Sequence, residues 1–134
     1  MANLLLVDDD ADMVELIADL LREHGHVVRV ATNGLEGLQS LDCRLPDAVL
    51  LDVEMPRLNG PEMADQMFAL DVGREAIPIV LFSAEVQLDR IADRVGTPYF
   101  LSKPRPVEDV LAVLERALSE RAPPHPRRSV GLHL

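Results

Sequence analysis

Five times along this chain a short apolar run is followed by a stretch with apolar residues at helical spacing, and few folds accommodate that alternation. Asn3–Val7 is the first run, and Met13, Leu16, Ile17, Leu20 and Leu21 follow at helical intervals before Gly25. Val27–Ala31 is the second, and the spacing predicts a helix over 33–41 in which Asn33 and Glu36 are set as a capping box. Residues 47–51 lead through a loop over 52–59 into a helix marked by Met63, Met67 and Leu70. Pro61 stands near its start, where a missing N–H costs least. Residues 77–82 precede the stripe Leu88, Ile91, Ala92 and Val95, which Gly96 closes. The last pair is a short run over 99–101 and a helix carrying Val107, Val110, Leu111, Leu114 and Leu118.

Strands that are apolar throughout must be covered on both faces, and each strand here is followed by an amphipathic helix. That combination predicts an α/β domain with a parallel sheet between two helical layers. Hydrophobic residues at 48% and charged residues at 27% suit a packed globular unit, expected over residues 1–121. From Ala122 the chain reads APPHPRRSVGLHL, and residues 122–134 are expected to form a flexible tail or the start of a linker.

Charge and composition remove several function classes. A net charge of −10 should repel nucleic acid and anionic membrane, so neither is an expected partner. Aromatics at 3% with no Trp cannot build a stacking platform for single strands. Cys43 is the only cysteine, which excludes a disulfide within the chain and a thiolate zinc cluster. His24, His26, His125 and His133 show no metal-ligand spacing, and Met13, Met63 and Met67 fall on core-facing stripes. No apolar stretch reaches membrane-spanning length and MANLLLVDDD lacks a signal peptide's basic start, so a cytoplasmic location is expected.

In an open parallel sheet, ligands bind beyond the carboxyl ends of the strands. The first strand delivers Asp8, Asp9 and Asp10 there, the third Asp52, the fourth Ser83 and the fifth Lys103. Clustered carboxylates repel unless protonated or metallated, and a set of hard oxygen donors suits Mg²⁺. A carboxylate beside such a cation is a competent nucleophile toward phosphorus, with an ammonium and a hydroxyl to stabilise the transferring group. Each residue alone has a plainer explanation: an N-cap for the acidic run or Ser83, a turn residue for Asp52, a solvated charge for Lys103. Lys103 is, however, the only lysine among 13 basic residues. Elsewhere the chain uses Arg, so its one compact ammonium stands where a point charge meets a phosphate oxygen.

The segments LLLVDDD, LLDVEMPRLNG, IVLFSAE and YFLSKP resemble, in order and spacing, those of bacterial response-regulator receiver domains, over about residues 2–120. The resemblance implies a flavodoxin-like (βα)5 three-layer sandwich with strand order 2-1-3-4-5. It also implies that Asp8 and Asp9 hold Mg²⁺ (or Mn²⁺), Asp9 the more directly, and that Asp52 is phosphoacceptor and metal ligand. The Glu54 backbone carbonyl completes the protein's ligands. Ser83 is the implied switch hydroxyl, Phe100 the switch aromatic, and Lys103 the partner of a phosphoryl oxygen. Lys103–Pro104 is implied to be a cis peptide. Glu54 and Glu85, each two residues past an active-site residue, fall at positions that tune self-dephosphorylation.

Four positions depart from the family's common pattern. Ser83 stands for the commoner Thr, Phe100 lacks a tyrosine hydroxyl, Thr97 and Pro98 replace small flexible residues, and Arg105 follows Lys-Pro where an apolar residue is usual. None removes a group needed for phosphorylation.

The expected function is therefore that of a phosphorelay receiver rather than a turnover enzyme. It accepts phosphate from a histidine kinase or phosphotransfer protein and changes the face made by the fourth helix, fifth strand and fifth helix. That face would engage an unidentified downstream protein, and receivers also form homodimers through it. An Asp-nucleophile phosphohydrolase would want a second Asp where Glu54 stands. A phosphorylation-independent binding module would not need the intact acidic set with Lys103.

Overall fold

Among the residues described, 1–69 and 73–126, the computed structural model contains five strands that alternate with five α-helices. The strands are β1 (Asn3–Val7), β2 (Val27–Ala31), β3 (Ala48–Leu51), β4 (Ile79–Ser83) and β5 (Tyr99–Ser102). The helices are α1 (Ala11–Glu23), α2 (Gly34–Cys43), α3 (Gly60–Phe68), α4 (Leu88–Val95) and α5 (Val107–Glu120), with a 3₁₀ turn at Arg74–Ala76. Every strand pair is parallel and the order is β2-β1-β3-β4-β5, the flavodoxin-like arrangement. Leu70 and residues 127–134, with Arg127, Arg128 and His133, lie outside the described residues.

The sheet divides the core in two. On one side Leu4, Leu6, Leu50, Val80 and Phe82 pack with Val14, Ile17 and Leu21 of α1 and Val110 and Leu114 of α5. On the other, Leu5, Val7, Leu51, Ile79 and Leu81 pack with Met63 and Met67 of α3 and Leu88, Ala92 and Val95 of α4. A fully buried side chain of this kind contributes about 1.5–3 kcal/mol, so the central strands carry the largest share of the hydrophobic stabilisation.

Two local expectations change. Leu16, expected on the inward stripe of α1, is 61% exposed, because Val14, Ile17, Ala18 and Leu21 form the buried stripe instead. The capping box expected at Asn33 and Glu36 is half formed. The Asn33 side chain accepts from the Glu36 N–H, but the Glu36 carboxylate turns to the N–H and hydroxyl of Thr32. The complete box is at Asn59 and Glu62, whose side chains each accept from the other's backbone N–H at the start of α3. At the far end of α2, Arg29 of β2 donates to the carbonyls of Ser40 and Arg44, and the first of these also accepts from the Arg44 N–H.

Within the Pro-rich segment expected to be flexible, residues 122–126 lie against the end of α4. The His125 N–H donates to the Gly96 carbonyl at 2.9 Å, and Pro124 is buried. Gly96 has φ +84°, and a Cβ there would strike the His125 carbonyl.

Arg57, in the loop after β3, holds φ at 72°, a conformation that L side chains rarely adopt. The left-handed conformation costs about 1–2 kcal/mol for a residue with a Cβ, more than the roughly 0.5–1 kcal/mol by which glycine's freedom favours the unfolded chain. Arg57→Gly is therefore expected to raise stability by up to about 1 kcal/mol. Its charge is the weakest of the influences that hold the Glu36 carboxyl below its usual range, so losing it matters little. A urea midpoint below wild type would show that the arginine side chain supports the loop.

Candidate functional site

The register of the sheet assembles the site. Val7 pairs with both Ala31 and Leu51, so Asp8 and Asp52 emerge one residue further on, side by side beyond the ends of β1 and β3. The Asp8 N–H donates to the Ala31 carbonyl at 3.1 Å and the Asp52 N–H to the Val7 carbonyl at 2.9 Å, which extends the ladder through both residues. Ser83 pairs with Ser102, and the Lys103 N–H donates to the Ser83 carbonyl at 2.9 Å. Lys103 therefore leaves β5 beside the end of β4. The Lys103–Pro104 peptide is cis.

Asp8 and Asp52 are only 5% and 7% exposed, whereas Asp9 is open to solvent. Carboxylate oxygens of the three lie within 4.8 Å of one another. The Lys103 ammonium donates to Asp8 Oδ2 at 2.8 Å and stands 3.6 Å from Asp52 Oδ2. Asp10 stands apart from this group, and its carboxylate caps α1 by accepting from the Met13 N–H. The plainer N-cap explanation holds for Asp10, while Asp8 and Asp9 converge with Asp52.

Burial pushes the Asp52 carboxyl above its usual range, and the neighbouring Asp8 charge pushes it the same way. Lys103, the Ser83 hydroxyl and the Val53 N–H oppose that shift. Three carboxylates facing one ammonium leave a formal excess of two negative charges. The donors are all hard oxygens, two of the three carboxylates are buried, and a divalent cation of the Mg²⁺ type would offset that excess. The residues present fit such an ion.

A cleft of about 330 Å³ opens above Asp52, lined by Glu54, Ser83, Ala84, Glu85, Val86 and Lys103. The Ser83 hydroxyl is buried and accepts from the Glu85 N–H at 3.3 Å. Glu54 and Glu85 come together across the mouth. A hydrogen bond between the two carboxyls, and then their mutual repulsion, raises Glu54 above its ordinary range. Asp9, Val53, Glu54, Met55, Pro56 and Asn59 line a second hollow beside the first.

Phe100 is not among the residues that line the cleft; it lies on the outer face of β5, 40% exposed. Two residues not singled out in the sequence prove close to the centre. The Phe82 ring lies beneath the Lys103 ammonium, 5.3 Å from ring centroid to Nζ. Gly60 backs directly onto Asp52: its N–H donates to the Val53 carbonyl at 2.9 Å, and a Cβ would strike the Asp52 carbonyl oxygen. The strand pattern announces Phe82 only as core, and Gly60 only as the glycine before a helix.

Among the described residues this carboxylate cluster is the only one of His, Cys, Asp and Glu side chains that could hold a metal ion, and no helix among them is long and apolar enough to cross a membrane. The family model described as "Response regulator receiver domain" matches residues 4–115. Protein PilH of Pseudomonas aeruginosa is 33% identical over 121 residues, covering 89% of this chain and 99% of PilH. The transcriptional regulatory protein CpxR homolog of Haemophilus influenzae is 36% identical over 126 residues, covering 92% of this chain and 53% of that one. The chain thus spans about half the length of that relative. Among solved structures, the receiver domain of NtrX from Brucella abortus superposes with a TM-score of 0.76 at 30% identity, covering 87% of this chain and 98% of the other. A CheY-like receiver domain protein from Methanospirillum hungatei superposes at 0.79 with 21% identity, covering 90% and 96%, a likeness of fold.

Proposed function

The chain belongs to the response-regulator receiver family of two-component signalling, and we propose that Asp52 is its phosphoacceptor and takes phosphate from a histidine kinase or phosphotransfer protein. One observation carries this reading: the convergence of Asp8, Asp9 and Asp52 with Lys103, its ammonium 2.8 Å from Asp8 and 3.6 Å from Asp52, at the open ends of the strands.

In the step itself, an Asp52 carboxylate oxygen attacks phosphorus. A P–O bond forms while the P–N bond of the phosphohistidine breaks, its electron pair remaining on the imidazole nitrogen. In this reading Lys103 draws off negative charge from a phosphoryl oxygen, and the Ser83 hydroxyl donates to another. Asp8, Asp9 and Asp52, with the Glu54 carbonyl, would hold Mg²⁺ or Mn²⁺, which when bound neutralises charge on the phosphoryl oxygens. The domain thus promotes its own phosphorylation without turning over an outside substrate. Slow hydrolysis would return it, with Glu54 and Glu85 flanking the water's approach to the acyl phosphate.

The output follows from a population shift between two packings. In this reading Ser83 moves onto the phosphoryl group and Phe100 swings from its exposed position toward the vacated space. The face of α4, β5 and α5 changes, and with it the binding of a downstream protein or of a second copy of the chain. Residues 1–121 form the receiver and 122–134 an appended segment, acting in the cytoplasm.

Intact-mass measurement after incubation with acetyl phosphate tests the chemistry. With Mg²⁺ the chain is expected to gain one phosphoryl group, and with the metal removed by a chelator to gain none. No gain with acetyl phosphate, nor with a panel of phosphorylated kinases, would overturn the reading in favour of a phosphate-independent module.

A further inference from the structure

We propose that Phe82 is a positioning residue for phosphoryl transfer: the face of its ring is the seat on which the Lys103 ammonium rests. The proposal rests on the reading of Lys103 as the phosphoryl-binding cation and adds a group that holds it in place.

The chain has three Phe, one Tyr and no Trp, and its single lysine stands over one of those few rings. The placement follows from the strand pairing. Phe82 pairs with Leu101, and Lys103 lies two residues beyond Leu101, on the same face of the sheet's edge as Phe82 and diagonal to it. The Lys103 backbone is tied to β4 through the Ser83 carbonyl. To reach Asp8 its side chain must then cross the strand ends over the Phe82 ring, and the ammonium lies 5.3 Å from the centroid. A cation within about 6 Å of a ring face is attracted by the ring's quadrupole, most strongly when water is excluded. The Lys103 side chain is only 17% exposed, so little solvent competes.

The ring supplies what the carboxylates cannot. Without phosphate, the ammonium is drawn onto Asp8 at 2.8 Å and Asp52 at 3.6 Å, contacts that offset part of the negative charge around the nucleophile. When a phosphoryl group arrives, Lys103 must loosen one of these and turn to a phosphoryl oxygen. Phe82 is a partner in both arrangements, carries no charge to compete with the metal, and keeps the ammonium at the strand ends during the exchange. An aliphatic side chain of similar size would fill the core but offer no quadrupole.

The experiment separates packing from electrostatics. Phosphorylation by acetyl phosphate in Mg²⁺ is timed for wild type, for Phe82→Leu, and for a series with mono-, tri- and pentafluorophenylalanine at position 82. Fluorination drains the ring face of negative potential at nearly constant shape. Because the chain has one lysine, isotope-labelled lysine gives a single side-chain signal in each protein. The proposal expects a stepwise fall in rate with fluorination, roughly 3- to 10-fold by the end of the series and in Phe82→Leu. It also expects the Lys103 ε-methylene protons to be shifted upfield by the ring in wild type and to lose that shift in Phe82→Leu. A flat series in protein that phosphorylates normally would overturn the seat and leave the receiver chemistry standing. If wild type takes no phosphate from acetyl phosphate or from phosphorylated kinases, the receiver reading falls, and an unshifted Lys103 signal would overturn the seat independently.

Discussion

Asp52→Asn is expected to abolish the Mg²⁺-dependent gain of a phosphoryl group from acetyl phosphate, with no residual slow phase. An amide has no charged oxygen to attack phosphorus, and the substitution also removes one of three carboxylates from the proposed metal site. The fold should survive. Asp52 Oδ1 accepts from the Val53 N–H at 2.8 Å, a bond that the Asn carbonyl can keep. Burial and Asp8 raise the folded pKa of Asp52 above its unfolded value, so its protonated form favours the fold and that contribution fades as pH rises through the folded value. A neutral amide removes this pH dependence, and the metal-free variant should melt no lower than wild type near neutral pH. Thermal melts beside intact-mass spectra check both halves. A phosphoryl group still gained by the Asn variant would move the acceptor to Asp8 or Asp9.

Gly60→Ala is expected to lower stability by about 3 kcal/mol or more, a large part of the roughly 5–15 kcal/mol typical of a domain. The added methyl would strike the Asp52 carbonyl oxygen and crowd the Val53 Cα at 3.1 Å. These are backbone atoms, so no rotamer change relieves the contact. The loop from Asp52 to Gly60 would have to open, breaking the Gly60 N–H to Val53 carbonyl bond and shifting the backbone that aims Asp52. Phosphorylation should slow along with the loss of stability. Gly25→Ala is the control: φ is +88° there but nothing stands within 4 Å of the added carbon, so only backbone strain of about 1–2 kcal/mol is expected. Equal unfolding midpoints for the two variants would show that the β3–α3 loop yields to the methyl.

Within the candidate site, the polar groups that converge are easier to find in the sequence than the residues that support them. Asp8, Asp9, Asp52, Ser83 and Lys103 are polar residues at the ends of apolar runs, a contrast visible without coordinates. Phe82 and Gly60 carry no such contrast. One is an apolar residue in an apolar strand, the other a glycine before a helix. Their closeness to Lys103 and Asp52 exists only once the strands are paired and the loop after β3 has closed. The same holds for the Glu54 and Glu85 pair, whose side chains meet across two loops.

Local errors have a related origin. Helical spacing placed Leu16 on the stripe of α1, yet apolarity alone does not say which of two adjacent stripes meets the sheet, and Val14 and Ala18 won that side. Asn33 and Glu36 are spaced for a capping box, but Thr32 offered the carboxylate two donors at once. Legible in the linear string were the alternation of buried strands and amphipathic helices, hence a parallel sheet covered on both faces, and the polar groups delivered to one edge of it. Period and polarity are short-range properties, and they need no coordinates to be read. Distances between those groups, the seat of Lys103 and the tight closure behind Asp52 depend on register between strands far apart in the chain. That register is set by the simultaneous packing of both core layers, a property of the folded molecule and of no single segment.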